Sequence, residues 1–439
     1  MPSLRTLFAP APPAPRLPEE EVQRKYPKMR WQILEATFIG YATYYFVRNN
    51  LAVAADTMGD ALAYSKDDIG NIFAATAIAY GLGKFLMGAL SDRSNPRYFM
   101  PAGLLLSAAC NFAFGWVETY SVHLLLWTLN GFVQGMGWPP CGRSLGHWYS
   151  VRERGSVFGV WNVAHNVGGG LIGLIAAYSI TTFGGWQYAF FVPGVLAVIG
   201  AVYLLWRLRD TPQSEGLPPI EEYKNDYPSD HQASHEDELS FRELFFGYVL
   251  SNKFIWLIAI ANLFVYIARY SMLDWGPTYL AEVKGASVEG GGFGVFILEF
   301  SGIASTILMG WVSDKMGGRR GLVSFLCMVP VFLAFWGIML VPDGMLWLDM
   351  TLLAVIGFFI YPPVMLLGVA ALDFSSKKAV GTAAGFVGLF GYIGRMIQGK
   401  GIGYLAEYYS WDAALYAILG AAMLGIVLLA FTVRLRPRG

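Results

Sequence analysis

Long apolar runs at 99–117, 186–206, 321–341 and 413–433 constrain this chain more than any other feature. Each approaches the roughly 20 residues that an α-helix needs to cross a hydrocarbon core. Inside a bilayer only a helix or a closed barrel satisfies its own backbone polar groups, and runs of this length select the helix. Only 14% of the residues are charged, against the ~25% carried by a soluble chain. The lipid bilayer is thus the first expected partner. A net charge of zero gives no basis for a nucleic-acid partner.

The same length rule predicts twelve transmembrane helices at roughly 31–57, 68–91, 98–117, 122–145, 156–182, 186–207, 253–282, 291–313, 321–341, 347–371, 380–406 and 411–433. The charges sort between alternate loops. One side carries Arg93, Arg97, Arg152, Arg154, Lys315, Arg319, Arg320, Lys377 and Lys378, together with basic residues near both termini. The other side holds only Lys66 and Lys284 among several acids. By the positive-inside rule both termini are expected in the cytoplasm.

The proline-rich start, residues 9–18, does not read as a cleavable signal and is expected to form a flexible cytoplasmic arm. The one long hydrophilic insert, 208–252, is acidic and proline-rich and reads as a linker between two halves. The expected division is an arm to about residue 30, six-helix bundles over roughly 31–207 and 253–433, that linker, and a tail from 434 to 439. His231 and His235 in the linker read as solvated residues rather than a metal pair. Cys110, Cys141 and Cys327 lack CxxC spacing, so neither a disulfide framework nor a metal site is expected.

The two halves repeat each other at an offset of 221 to 226 residues. GALSDRSNPR (88–97) matches GWVSDKMGGRR (310–320), Trp138-Pro-Pro matches Tyr361-Pro-Pro, and Gly155 matches Gly381. Arg48 matches Arg269. Four anchors in the same order describe a parallel repeat, a transporter architecture in which substrate binds between repeats near the middle of the membrane.

At about 100° per residue, Tyr41, Tyr45 and Arg48 share one helical face, and so do Asn262, Tyr266 and Arg269. An arginine deep in a span costs roughly 2.5–3.5 kcal/mol on insertion scales and normally faces a cavity or a partner. Two guanidinium forks match the oxygens of a phosphate dianion through paired, charge-assisted hydrogen bonds. Tyr80 and Lys84 share a face of the second span, and His165 has Asn162 at i−3 beside it. Gly168 to Gly170 permit close helix approach next to that histidine. Asp274 and Glu299 are acids within spans. They are expected to pair with Arg269 when substrate is absent, with proton carriage by Glu299 or His165 as the alternative. No nucleophile–base pair or cofactor motif stands out, so an enzyme is not expected.

The Gly-x-x-x-Asp-(Arg/Lys) pattern at Asp92-Arg93 and Asp314-Lys315 resembles the cytoplasmic loop signature of the major facilitator superfamily. Further stretches narrow the resemblance: MGWPPCGR (136–143), WNVAHNVGGG (161–170), DTPQSEGLPPIEEYKNDYP (210–228), NLFVYIARYSMLDWGPTYL (262–280) and GTAAGFVGLFGYIG (381–394). Together they resemble the organophosphate:phosphate antiporter family, from about residue 26 onward. The resemblance implies an all-α fold of twelve helices in two pseudo-symmetric six-helix bundles, working as a monomer in the bacterial inner membrane. It implies import of glycerol 3-phosphate in exchange for inorganic phosphate by rocker-switch alternating access, without a cofactor. A hexose-phosphate or other organophosphate antiporter, or a membrane sugar-phosphate sensor, is the alternative.

By the same resemblance Arg48 and Arg269 hold the phosphoryl group, while Lys84 and His165 add charge and hydrogen bonds. Tyr41, Tyr45, Tyr80, Trp138, Tyr266, Tyr361 and Tyr392 then line the cavity. Asp92, Arg93, Asp314 and Lys315 latch helix ends. Two features depart from the pattern: Asn49 stands where lysine is common, and Arg395 and Lys400 stand where small or apolar residues are usual. Five residues apart, Arg395 and Lys400 lie about 140° around a helix and cannot share one face. Either is a candidate for substrate selection or ion pairing.

Overall fold

The computed structural model describes residues 8–226, 246–247, 249–374 and 380–434, and all twelve expected spans are helical in it. His231, His235, Lys377 and Lys378 lie outside the described residues. Two spans expected to be continuous are broken. The first is α1 (Glu19–Phe46) followed by α2 (Asn50–Leu62), with Val47, Arg48 and Asn49 between them. The fourth is α5 (Tyr120–Gln134) and α6 (Trp138–Trp148), separated by Gly135, Met136 and Gly137.

The causes are local. Arg48 precedes two asparagines, whose side chains compete for backbone hydrogen bonds and favour helix ends over helix interiors. Pro139 and Pro140 lie in the first turn of α6, where a missing N–H costs nothing, but they cannot continue a helix arriving from Gly137.

The remaining spans are α3 (Lys66–Ser91), α4 (Pro96–Trp116), α7 (Val151–Phe183), α8 (Tyr188–Arg207), α10 (Lys253–Lys284), α11 (Val288–Lys315), α12 (Arg320–Leu340), α13 (Leu346–Asp373), α14 (Val380–Tyr408) and α15 (Trp411–Ala430). A short α9 (Ile220–Lys224) follows α8. Among the described residues nine helices are long and apolar enough to cross a membrane. The two broken spans and α14, with Arg395 and Lys400 inside it, fall outside that set. Phe85, Trp116 and Leu340 are each more than two-thirds exposed, which a bilayer accommodates and water does not.

The chain packs as two compact units, one drawn from Met1–Asn50, Ala79–Ile172 and Phe190–Glu236, the other from Leu51–Ile78, Gly173–Ala189 and Asp237–Gly439. In the first unit the segment before α1 is held in place. Ala11 N donates to Asp210 Oδ2 (2.8 Å), and Ala14 N and Leu17 N donate to the carbonyls of Gln213 and Gly216. Asp210 also accepts from Arg143 (2.5 Å), and the Tyr26 ring stacks on Tyr223 at 4.0 Å. The arm expected to be flexible is thus, from residue 11, hydrogen-bonded to the stretch that follows α8.

The second unit ties the start of α3 to α10 and α14. Lys66 Nζ lies 3.0 Å from Glu282 and 3.8 Å from Glu407, and Lys400 Nζ lies 2.5 Å from Asp67. The Phe73 ring meets Trp275 edge-on at 5.4 Å.

Candidate functional site

In the first unit the break after α1 carries Arg48, which is 6% exposed. Its guanidinium carbon lies 3.9 Å from the centre of the Tyr80 ring and 5.0 Å from that of Tyr45. Tyr45 meets Tyr41 edge-on at 5.5 Å, and Tyr41 stacks on Trp161 at 4.9 Å. His165 lies with its ring 6.0 Å from Tyr45, and its Nδ1 contacts the carbonyl of Asn162. Asn162, expected beside His165, meets it through its backbone oxygen.

Gly168 explains how α7 reaches this cluster. A Cβ there would sit 2.2 Å from the carbonyl oxygen of Ala42, so only glycine lets the two helices approach. Lys84 Nζ lies 4.9 Å from the Trp138 ring, which meets Trp161 at 6.3 Å. Seven of the predicted residues, Tyr41, Tyr45, Arg48, Tyr80, Lys84, Trp138 and His165, thus belong to one contiguous aromatic and cationic cluster. Trp161, which joins its two ends, was not anticipated, although a tryptophan seven residues before the glycines was visible in the sequence.

In the second unit Arg269, 5% exposed, repeats the arrangement. Its guanidinium carbon lies 4.5 Å from the Tyr361 ring centre and 4.9 Å from that of Tyr270. Tyr266 lies 6.1 Å from Tyr392, and Asn262 donates to the carbonyl of Val387 at 2.9 Å. Among the described residues nothing accepts from Arg269 Nε, a buried donor. Cations stacked on aromatic faces are held by the ring quadrupoles. Stacking engages the faces of the guanidinium, while its five N–H donors point outward in its plane, the geometry that a phosphate oxygen pair matches.

Of the two acids expected beside Arg269, Asp274 departs from expectation. Asp274 does not pair with Arg269: it accepts from Arg395 (3.1 Å) and Gln398 (2.7 Å) of α14. Five residues separate Arg269 from Asp274, about 140° around the helix, so the two point to different neighbours. Arg395 also lies 4.1 Å from the Tyr270 ring, whose other cation is Arg269. Glu299 is fully buried and within electrostatic reach of Arg269 and Tyr361. Lys400 and Arg395 separate to different partners, as their spacing required. Tyr270 and Gln398 escaped the sequence reading; adjacency to Arg269 and to the helix-borne charges was the available signal.

Asp92 and Arg93 occupy the exposed turn after α3. Asp314, at the end of α11, receives Arg320 Nη1 at 2.5 Å, and Lys315 lies 4.1 Å from the Trp311 ring.

The broken helices, the repeated arginine–tyrosine arrangement and the lipid-compatible surface define a polytopic membrane transporter fold. Residues 37–399 match the Major Facilitator Superfamily, and the chain belongs to that family. It is 45% identical to the glycerol-3-phosphate transporter of Bacillus subtilis (strain 168), over 97% of both chains. It is 40% identical to a probable hexose phosphate transport protein of Chlamydia pneumoniae, over 93% of this chain and 92% of the other. Among solved structures, a bacterial homolog of the human lysosomal transporter Spinster, inward-facing and unoccupied, superposes with a TM-score of 0.71. At 16% identity, with 92% of this chain and 95% of that one covered, this likeness speaks for the fold alone.

Proposed function

We propose that this protein imports glycerol 3-phosphate in exchange for inorganic phosphate by alternating access, in a bacterial inner membrane with both termini cytoplasmic. The observation that carries the reading is the repeat of a buried arginine stacked on two tyrosine rings: Arg48 on Tyr45 and Tyr80, Arg269 on Tyr270 and Tyr361. The full-length likeness to the Bacillus subtilis glycerol-3-phosphate transporter supports the choice of organophosphate.

Each arginine recognises the phosphoryl group during the cycle. A guanidinium held away from water is costly without an anion, and a phosphate dianion offsets that cost by direct charge-assisted hydrogen bonds. Either inorganic phosphate or the phosphoryl end of glycerol 3-phosphate supplies the dianion, so each crossing carries one or the other and exchange follows. Lys84 and His165 add a positive charge and a hydrogen-bonding ring to the cluster around Arg48. The tyrosines and Trp138 provide the walls.

Vesicles loaded with labelled phosphate test this. External glycerol 3-phosphate should release the label, and hexose 6-phosphate should compete more weakly. Release driven equally by hexose 6-phosphate would shift the substrate to a broader organophosphate class. Failure of any phosphate ester to release label would overturn the exchange.

A further inference from the structure

The break that carries Arg48 leaves a carbonyl to account for. In a continuous helix Val47 C=O would accept from the amide of residue 51, but α1 ends at Phe46 and α2 starts at Asn50. Such an orphan at membrane depth costs several kcal/mol, and broken helices survive there only where neighbouring groups re-satisfy the backbone. Here two side chains do so. Asn111 Nδ2 of α4 donates to Val47 O at 3.1 Å, and Asn130 Nδ2 of α5 donates to the same oxygen at 2.8 Å. Asn111 is held in turn: its Nδ2 also reaches Ser107 O (2.9 Å), and its Oδ1 accepts from Asn50 Nδ2 (2.8 Å). Val47, Asn50, Ser107 and Asn111 are fully buried, and Asn130 is 1% exposed.

One amide would be enough to satisfy a carbonyl. Two, arriving from different helices onto one oxygen, fix that oxygen in space, and Arg48 is the next residue in the chain. We infer that Asn111 and Asn130 are positioning residues for Arg48: by holding the Val47 carbonyl they set the direction in which the guanidinium leaves the break, under Tyr80 and Tyr45. This inference rests on the reading of Arg48 as a phosphate ligand. Asn130 is the cleaner probe, because Asn111 also ties Asn50 and Ser107 together. Among the described residues its amide acts only as a donor to Val47, so a leucine of similar volume keeps the packing and cannot make the hydrogen bond, whereas a buried carboxyl would protonate and donate in its place.

The experiment measures the Kd for inorganic phosphate on purified full-length protein, with monodispersity and Tm as fold controls. The panel is wild type, Asn130→Leu, Asn130→Ser, Arg48→Lys and the combination of Asn130→Ser with Arg48→Lys. Losing one such hydrogen bond should weaken phosphate binding about fivefold to tenfold in each Asn130 variant. Residues that act through one another are not additive. The combined variant should therefore bind no more weakly than Arg48→Lys alone, whereas a merely structural role for Asn130 would lower affinity further and overturn the inference. Wild-type affinity in folded Asn130→Leu and Asn130→Ser, with Arg48→Lys impaired, would also overturn it and leave the reading of Arg48 standing. Wild-type affinity in Arg48→Lys would defeat that reading itself, and the positioning role with it.

Discussion

Arg395 donates to Asp274 across 3.1 Å, with both side chains at most 6% exposed. The pair answers the two departures seen in the sequence. Asn49 removes a cation next to Arg48, and Arg395 adds one on α14, but that added charge is already engaged within its own unit by an acid and shares Tyr270 with Arg269. Arg395 therefore bears on Arg269 by fixing the ring on which Arg269 stacks.

Removing one partner of this pair should be severe. Asp274→Asn leaves a buried guanidinium without its counter-charge, a loss of about 3–5 kcal/mol for pairs of this kind. A large fall in Tm of the purified protein is expected. Coupling Asp274→Asn to Arg395→Leu should recover much of the loss, because no charge is then stranded. A fall no larger than that of a surface substitution would show that the pair is not a structural tie.

Lys400 offers the contrast. Its pair with Asp67 is short, but the lysine side chain is 41% exposed, and an exposed pair contributes only about 0–1 kcal/mol. Lys400→Met should leave Tm nearly unchanged. A loss approaching that of Asp274→Asn would contradict the burial argument.

Arg48→Lys and Arg269→Lys keep the charge but remove the planar fork and most of the stacking. With charge-assisted hydrogen bonds contributing about 1.5–3 kcal/mol each, phosphate exchange should fall about a hundredfold or more in either variant, with Tm little changed. Exchange at wild-type rates in both would exclude recognition by guanidinium forks.

Gly168→Val should disable the protein for a different reason. The new Cβ would lie 2.2 Å from the Ala42 carbonyl oxygen, so α7 would have to withdraw from α1 and carry His165 away from Tyr45. Lower Tm and lost exchange should appear together. Wild-type values for both would mean that the contact yields without consequence.

Much of this was legible in the chain because membrane helices write their requirements locally. Twelve apolar stretches mark the spans, and the repeat offset pairs Arg48 with Arg269. Helical periodicity alone grouped Tyr41 and Tyr45 with Arg48, while Tyr80 and Lys84, grouped in the same way, take Arg48 and Trp138 as their respective neighbours. The same arithmetic, applied to Arg269 and Asp274, already argued against their pairing.

Partners on other helices were not legible. No spacing within α10 says that Asp274 meets Arg395 and Gln398, some 120 residues on. The two asparagines of YATYYFVRNN favour a helix end, but they do not say that the helix stops at Phe46, because a break in a membrane span persists only when distant side chains satisfy its carbonyl. Asn111 and Asn130, two asparagines in apolar spans, were the visible half of that arrangement. Hydrophobic length, charge asymmetry and internal repetition, which act along the chain, determined the class of fold and the two arginines. The break that aims Arg48 and the acid that occupies Arg395 were decided by tertiary structure, since hydrogen bonds and ion pairs depend on which helices become neighbours.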